Sequence, residues 1–444
     1  MKTDNVLCTL VGLLLLVGVI IAGGCAGYDE QTICLVREGA AQAVIVLPQE
    51  ADDLEKLAAR EIAGYVAKIS GAKLAIIGPE QEISPEISTR ILLGSAAEKA
   101  IPELNVQRAL GERGNTLREP EGFVLRVQEG VVALAGLNSQ GTLYAAYDLL
   151  ERLGCRWFFP GELGEVVSNA DTLELKPFES VQTPSLEFRF ILKSGEGTVG
   201  YAELTVADEN VNTDEVFVAW SRRNRLSADR SWWKFGHNIA SDELVTDSAL
   251  IDKVVGRALE HFKEDPEIRM FSLGWADGQH PLGADDAMGV PHLWDNKYQA
   301  IDPMIHFNNQ VAERVLADYP GKLFGFLIYQ NFLGAPIKYK PHPSLQPVIA
   351  TIEQCPRHVP GTGQCWQRDA VNRVIKDWCS LSEKVIVYEY MPGFLVDGSL
   401  PMPDVTRIRV ELPKWIEGGL RGMFSQSQLS IMNTGPNSYR GLST

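Results

Sequence analysis

Residues 303–329 read PMIHFNNQVAERVLADYPGKLFGFLIY, and this stretch decides the fold class of the second half of the chain. The segment before Pro320 has the pattern of an amphipathic helix, whereas the segment after Gly321 is a short apolar run. The pattern therefore predicts a helix that is followed at once by a buried strand.

The same alternation of helix and strand continues along the second half. Apolar runs occur at FRFIL, MFSLGW, PVIATI, VIVYEY and GMFSQS, a further strand is expected around AWSRRNRLS, and helical segments such as AVNRVIKDWCSL lie between them. Strands separated by helices imply a parallel sheet. We therefore expect an α/β structure in which six strands are clear and a seventh is possible around AWSRRNRLS.

The first half predicts a smaller α+β domain over residues 36–170. AAQAVIVLP indicates a buried strand, and ADDLEKLAAREIAGYVAKISG indicates an amphipathic helix with Asp52 and Asp53 early and Gly71 at its end. The runs LAIIG, RILLGS, GFVLRVQEG and VVALAG follow as strands, and NSQGTLYAAYDLLERLG follows as a second helix. The proline-containing segment 171–187 is expected to link this domain to the second half.

The N-terminus is predicted to be an export segment rather than part of the fold. Val6 to Ala22 is almost wholly apolar and follows Lys2, as in a signal peptide. Because small residues precede Cys25, residues 1–25 resemble a signal peptide with the lipobox of bacterial lipoproteins, in which that cysteine is lipidated. A plain secretory signal and an uncleaved membrane helix are the alternatives. The expected location is an exported lipoprotein, periplasmic or at the cell surface.

Composition excludes several classes of function. The chain has 444 residues, a net charge of −16 and a pI near 5.0, and its Lys and Arg residues form no basic run. Nucleic acid is therefore an unsuitable partner, since binding it requires positive charge that neutralises phosphates. The glycines of KSGEGTVG, residues 193–200, match a dinucleotide fingerprint in spacing, but no convincing helix follows, so no nucleotide cofactor is predicted.

The order of segments in the first half resembles a known domain type. The α/β domain that precedes the catalytic barrel in α-glucuronidases and in chitobiase-type β-hexosaminidases has this order of elements. More closely, GTLYAAYDLLERLGCRWFFPGELGE is similar to the bacterial family of domain of unknown function 4838. The resemblance implies a (β/α)8-type TIM barrel over residues 188–444, incomplete at its C-terminus, with glycoside-hydrolase-like activity on a carbohydrate.

Two carboxylates are the catalytic candidates. Active sites of such barrels lie at the C-terminal ends of the strands. Asp277 follows MFSLGW, and Glu389 lies at the end of VIVYEY. A glycosidase needs one carboxyl group to protonate the leaving oxygen and a second to act as nucleophile or base. Asp277 and Glu389 form the predicted pair, and Glu353 is a third candidate. The alternative is that these acids cap helices or pair with arginines.

Five further residues are predicted to contact a sugar, namely Trp232, His237, Trp275, Tyr329 and Gln426. Aromatic faces stack on sugar rings, and the polar groups supply hydrogen bonds. For the tryptophans, a place in the barrel core is the competing interpretation, and for His237 it is a structural hydrogen bond.

The cysteines indicate no metal site by their spacing. CPRHVPGTGQC holds Cys355, His358 and Cys365, but this spacing matches no zinc pattern and a fourth ligand is not apparent. A disulfide between the two cysteines or two unpaired structural thiols are the alternatives.

Two functional hypotheses follow. The first is an exported glycoside hydrolase with no cofactor, and the second is a surface lipoprotein that binds glycans without cleaving them. In both, the partners are a carbohydrate and, through a lipid on Cys25, the membrane.

Overall fold

The computed structural model describes residues 32–110, 117, 120–193, 213–227, 236–240, 243–276, 301–329, 332–352, 354–355, 358, 363, 365–390 and 405–427. The elements of the first half are β1 (Ile33–Arg37), β2 (Ala40–Ala41), β3 (Ala43–Val46), α1 (Asp53–Ser70), β4 (Ile76–Ile77), β5 (Thr89–Leu93), α2 (Ser95–Ala100), α3 (Val106–Leu110), β6 (Phe123–Gln128), β7 (Val131–Gly136), α4 (Ser139–Arg152), β8 (Arg156–Trp157), β9 (Glu165–Val166), β10 (Leu173–Leu175) and β11 (Phe178–Gln182). Those of the second half are β12 (Phe188–Lys193), α5 (Thr213–Arg223), β13 (His237–Ile239), α6 (Ser248–Glu264), β14 (Met270–Ser272), β15 (Gly274–Trp275), α7 (Ile301–Leu316), β16 (Leu323–Ile328), β17 (Leu345–Ala350), α8 (Trp366–Leu381), β18 (Ile386–Tyr390), α9 (Val405–Glu417) and β19 (Gly422–Ser427).

A six-stranded mixed sheet forms the first half, in the order β11-β6-β7-β5-β3-β4. Strands β4, β3, β5 and β7 run parallel, and β6 and β11 run antiparallel to their neighbours. The two predicted helices, α1 and α4, pack together on one face, and the short helices α2 and α3 cover the other. The predicted sheet with two helices is therefore present, with two additional short helices.

Helix α1 begins and ends where its sequence predicts. The Asp52 carboxylate accepts hydrogen bonds from the backbone N–H groups of Leu54 and Glu55, and the Glu55 carboxylate accepts one from the Asp52 N–H. This reciprocal arrangement is a capping box. Gly71 ends the helix with φ +76°, a left-handed conformation that glycine adopts without steric cost.

The segment 171–187, which was expected to be a linker, contains the strands β10 and β11. Strand β10 pairs with β1, and β11 pairs with β6 over five residues, so both belong to sheets of the first half. The prolines misled the prediction because Pro177 lies between these two strands and Pro184 follows the second, positions where proline removes no ladder hydrogen bond.

A six-stranded parallel sheet forms the second half, in the order β12-β19-β18-β17-β16-β14, and β13 pairs with β15 beside it. The first long strand, β12, pairs with the last, β19, along six residues. This curled parallel sheet, with helices between its strands, is a partial TIM barrel. The α/β class and all six clearly predicted strands are confirmed. No helix in the described part of the chain is long and apolar enough to cross a membrane.

The prediction of a strand around AWSRRNRLS is wrong, because AWSRR forms the end of helix α5. Phe217 and Trp220 are three residues apart and both are buried, which is helical spacing. They belong to the hydrophobic core of the first half rather than to the second sheet. The strand β13, at HNI, was not predicted, since three residues are too few to show a periodicity.

Helix α5 joins the two halves of the molecule through polar contacts as well. Trp220 Nε1 donates to the carbonyl oxygen of Trp157 at 3.1 Å. The Arg223 guanidinium donates to both oxygens of Glu61 on α1, at 2.9 and 3.1 Å. Arg225, just after the helix, pairs with Glu151 on α4 at 2.5 Å. These arginines therefore pair with acids of the first half.

Strand register fixes which side chains of the second sheet face the helices. Phe326 of β16 packs against Trp378 of α8, with ring centroids 5.8 Å apart, and this contact identifies the outer, helix-facing side. Residues paired in a parallel ladder share a side, as do residues two apart on one strand. Following the pairing through β17, Ile349 and its partner Val387 lie on the outer side, and so does Glu389.

The inner side of the sheet carries three aromatic rings on adjacent strands. Tyr388 of β18 stacks on Phe424 of β19 with centroids 4.2 Å apart, and Phe424 lies 6.4 Å from Phe190 of β12. We call Phe190, Phe424 and Tyr388 the inner aromatic row. Phe190 and Phe424 are buried, whereas Tyr388 is partly exposed.

A candidate functional site at the carboxyl edge of the parallel sheet

The carboxyl ends of parallel strands meet at one edge of a sheet, and in barrels of this type that edge is where ligands bind. Here the edge is formed by the ends of β15, β16, β17, β18 and β19, together with the residues that follow them. Of the predicted site residues, Trp275, Tyr329, Glu389 and the backbone of Gln426 are described at this edge. His237 joins them, because β13 pairs with β15.

Glu389 lies at the carboxyl edge, near the end of β18, as predicted. Its side chain lies on the outer side of the sheet and is only 4% exposed. The hydroxyl of Thr351, just after β17, lies 3.0 Å from Glu389 Oε2 and donates to it. The backbone N–H of Thr351 donates to the Tyr388 carbonyl at 3.0 Å. Glu389 therefore takes part in a contact that ties the ends of β17 and β18 together.

The sequence of β18 alone does not show which of its two sides faces the barrel interior. Tyr388 projects to the opposite side from Glu389, as the extended geometry requires. The side that carries Tyr388 is the inner one, since Tyr388 stacks there on Phe424. Alternation within one strand shows that two sides exist, but neighbouring strands and helices decide which side faces the centre.

His237 and Trp275 form one structural unit. The Nδ1–H group of His237 donates to the backbone carbonyl of Trp275, which joins the two paired strands at the edge. The Trp275 ring is 1% exposed and packs edge to face against Phe307 of α7, with centroids 5.6 Å apart. Trp275 is thus packed in the core, while the exposed His237 ring has one nitrogen engaged in holding the strands together.

The remaining candidates divide into described and undescribed residues. Tyr329 is 5% exposed, and its ring packs edge to face against Phe332 at 5.0 Å. The backbone of Gln426 pairs with Tyr390 and lies at the end of β19. Asp277, Trp232, Glu353, Cys25 and residues 194–200 of the glycine-containing segment lie outside the described residues.

Sequence reasoning missed the inner aromatic row. Its members are the third residues of the strands FRFILK, IVYEY and GMFSQS. The signal that could have found it is the shared side that a parallel register gives to residues at equivalent positions on neighbouring strands. That register could not be read from one strand at a time.

A buried polar network behind the edge was also missed. The Arg368 guanidinium of α8 donates to Glu411 of α9 at 2.6 Å, and both side chains are almost fully buried. Glu411 also accepts hydrogen bonds from the amides of Gln354 and Asn372, at 3.2 and 3.3 Å. A second nitrogen of Arg368 donates to the carbonyl oxygen of Cys355 at 2.6 Å. The network thus attaches the segment after β17 to both helices.

The two thiols and the imidazole of CPRHVPGTGQC are brought together at the same edge. The ligand atoms of Cys355, His358 and Cys365 all lie within 4.8 Å of one another. Cys355 Sγ and His358 Nδ1 are 3.1 Å apart. The spacing of these three residues in the sequence did not predict that they lie together.

Comparison with protein families adds one decisive observation to this geometry. The model of the domain of unknown function DUF4838 matches residues 163–441, which includes all of the parallel sheet. The chain belongs to the DUF4838 family. Among curated proteins, no significant match to this DUF4838 protein was found.

Solved structures resemble the DUF4838 chain in fold. A family GH115 4-O-methyl-α-glucuronidase, with specificity for decorated arabinogalactans, superposes with a TM-score of 0.54 at 14% identity, over 93% of this chain and 56% of that one. A GH20 chitobiase from Flavobacterium johnsoniae gives a TM-score of 0.45 at 9% identity, over 94% and 68% of the two chains. The DUF4838 chain thus spans little more than half the length of the GH115 enzyme. At 14% identity, the likeness to the GH115 enzyme shows a shared fold.

Proposed function

We propose that this DUF4838 protein is an exported glycoside hydrolase that acts on a polysaccharide or oligosaccharide. The observation that carries the proposal is the two-part architecture, in which a mixed-sheet domain precedes a partial TIM barrel, as in the GH115 α-glucuronidase over 93% of this chain. This is an argument from fold, which by itself leaves the chemistry open. The residues at the carboxyl edge therefore have to supply the catalytic groups.

The inner side of the parallel sheet is suited to holding a sugar. The inner aromatic row presents three rings on adjacent strands, and Tyr388 is partly exposed. Aromatic side chains offer large rigid contact surfaces with a polar end in the case of tyrosine. We infer that a sugar ring binds above this row, with Tyr388 as its contact.

The catalytic carboxyl groups would come from the segments that follow the strands. Among the described strand residues, the inner side carries no Asp or Glu. Hydrolysis of a glycosidic bond requires two carboxyl groups. Asp277 follows β15 after a single intervening residue, and Glu353 follows Thr351 in the segment after β17. We assign them the two roles, with Asp277 retained from the sequence prediction.

Glu389 is better suited to positioning than to direct chemistry. Its carboxylate faces the helices and holds Thr351, so that it fixes the ends of β17 and β18 relative to each other. This assignment replaces Glu389 by Glu353 in the predicted pair. Glu389 still matters to the site, because it accepts a hydrogen bond from Thr351, which lies in the segment that carries Glu353.

Three matched variants in one assay test these roles. A panel of chromogenic glycosides identifies a substrate, after which turnover and melting temperature are measured for Asp277→Asn, Glu353→Gln and Glu389→Gln. We expect Asp277→Asn and Glu353→Gln to lose at least about 10²-fold in turnover with an unchanged melting temperature. Glu389→Gln should lower the melting temperature and keep most of the turnover of the folded protein.

Each variant also has an outcome that contradicts its role. Wild-type turnover in Asp277→Asn removes Asp277 from the catalytic pair. A loss of about 10²-fold in Glu389→Gln, with an unchanged melting temperature, returns Glu389 to it. If the wild-type protein cleaves none of the glycosides, the hydrolase proposal loses its support.

A second candidate function is glycan binding without cleavage, at the surface of the cell. The described inner side of the sheet has aromatic rings but no carboxyl group, which favours binding over hydrolysis. In that case a glycan array shows binding by the wild-type protein, Tyr388→Ala loses it, and Asp277→Asn leaves it unchanged.

A further inference from the structure

The segment between β17 and α8 brings three metal-binding side chains to one point. We propose that Cys355, His358 and Cys365 form a binding site for a thiophilic divalent metal ion of the zinc type. Neither the fold comparison nor the proposed hydrolase function includes this site. The proposal therefore holds or fails independently of them.

Interatomic distances support the proposal. Around a tetrahedral zinc ion, with Zn–S of about 2.3 Å and Zn–N of about 2.0 Å, neighbouring ligand atoms lie about 3.5 to 3.8 Å apart. The two sulfur atoms and the imidazole nitrogen are all within 4.8 Å of one another, and Cys355 Sγ is 3.1 Å from His358 Nδ1. Small side-chain rotations therefore bring all three onto one ion.

The surroundings of the site favour a cation with thiolate ligands. Cys355 and Cys365 are buried, whereas His358 is exposed, so the ion has a protected sulfur side and an open path of entry. Cys365 is the N-cap residue of α8 but makes no side-chain capping hydrogen bond. Its sulfur is therefore not occupied in capping the helix.

The neighbouring arginine does not oppose metal binding. Arg368 lies close to the site, since it donates to the carbonyl oxygen of Cys355. Its charge is compensated by Glu411 at 2.6 Å. The pair therefore fixes the backbone at Cys355 without adding a net positive charge beside the ion.

A disulfide is the competing use of the same two sulfurs, and the histidine distinguishes the two. A disulfide involves only Cys355 and Cys365, and it gives no role to an imidazole nitrogen in contact with Cys355 Sγ. Two thiolates and an imidazole, by contrast, are a ligand set that zinc prefers, with water in the fourth position. The ion would join the start of the segment at Cys355 to the start of α8 at Cys365.

Metal titration of the full chain tests the site. The reduced protein, freed of metal by a chelator, is titrated with Co²⁺ and then Zn²⁺ alone. We expect thiolate-to-cobalt charge-transfer absorption that Zn²⁺ abolishes, and a rise in melting temperature with Zn²⁺. Cys355→Ser and Cys365→Ser should abolish the charge-transfer band. His358→Ala should weaken Zn²⁺ affinity by more than the about 10- to 100-fold lost when only an outer partner of a ligand is changed.

Cys379→Ser provides the matched control. Cys379 lies on the same helix, α8, and burial raises its pKa to about 11, so that it remains a protonated thiol. This variant should bind Co²⁺ like the wild type. Equal binding by wild type and by Cys355→Ser would mean adventitious metal only and would overturn the proposal. A Cys355–Cys365 disulfide in protein purified without reductant, together with no Co²⁺ band after reduction, would overturn it as well.

Discussion

Breaking the buried ion pair between α8 and α9 should destabilise the protein severely. Arg368 is 4% exposed and Glu411 is 2% exposed, and they are joined at 2.6 Å. Arg368→Met removes the cation but keeps the aliphatic volume. Glu411 would then be a buried carboxylate with only the amide donors of Gln354 and Asn372. Removing one partner of such a pair costs about 3–5 kcal/mol, against a total stability of about 5–15 kcal/mol for typical proteins.

The matched control for this change is Arg373→Met on the same helix. Arg373 is exposed, so its replacement should alter the free energy of unfolding by no more than about 0.5 kcal/mol. Urea denaturation, followed by tryptophan fluorescence and circular dichroism, measures both variants. The double variant Arg368→Met/Glu411→Met should recover part of the loss, since no charge then remains buried. If Arg368→Met costs no more than the control, the reasoning from burial and charge is refuted.

Two further predictions concern the first half and the N-terminus. Burial raises the pKa of Glu165, but hydrogen bonds from Lys68 and Tyr65 outweigh it, and the net result is a pKa below the ordinary 4.5. The unfolded chain therefore binds this proton first as the pH falls, so the contribution of Glu165 to stability is complete above pH 4.5 and is lost as the pH falls through the lower, folded pKa. Urea denaturation should show Glu165→Gln to be less stable than wild type at pH 7, and the difference should narrow under acid conditions. A difference that stays constant with pH would refute the pairing. Cys25→Ser should release the protein from the membrane fraction and remove an acyl mass from the mature chain, whereas unchanged fractionation and mass would indicate a plain signal peptide or an uncleaved anchor.

Much of the fold could be predicted because local patterns and packing agree. Helix α1 carries its start signal at Asp52 and its stop signal at Gly71, and each alone specifies a terminus. The long strands are apolar on both sides because they are buried between the barrel interior and the helices. The strand prediction for the segment at α5 was wrong because the buried residues of this segment pack on the first half of the chain, and no local pattern shows that contact.

The site was less predictable because it depends on relations between elements. The position of Glu389 at a strand end followed from its own run, but its outer side depends on the register with β17 and on the contact of Phe326 with Trp378. The proximity of Cys355, His358 and Cys365 is likewise a relation between residues in space and does not follow from their spacing in the sequence. A single sequence contains no direct signal for either relation.

The position of helix α5 has a consequence for how the protein is made. The core of the first half includes Phe217 and Trp220, which lie more than thirty residues beyond the last strand of that half, β11. During synthesis, that core stays incomplete until α5 has emerged from the ribosome, by which time β12 has emerged as well. Tyr144 then gains its hydrogen bond to the Leu226 carbonyl at 3.1 Å. The two halves are thus coupled during biogenesis, and a gene rearrangement that moved the first half to a new partner would have to carry the beginning of the barrel with it.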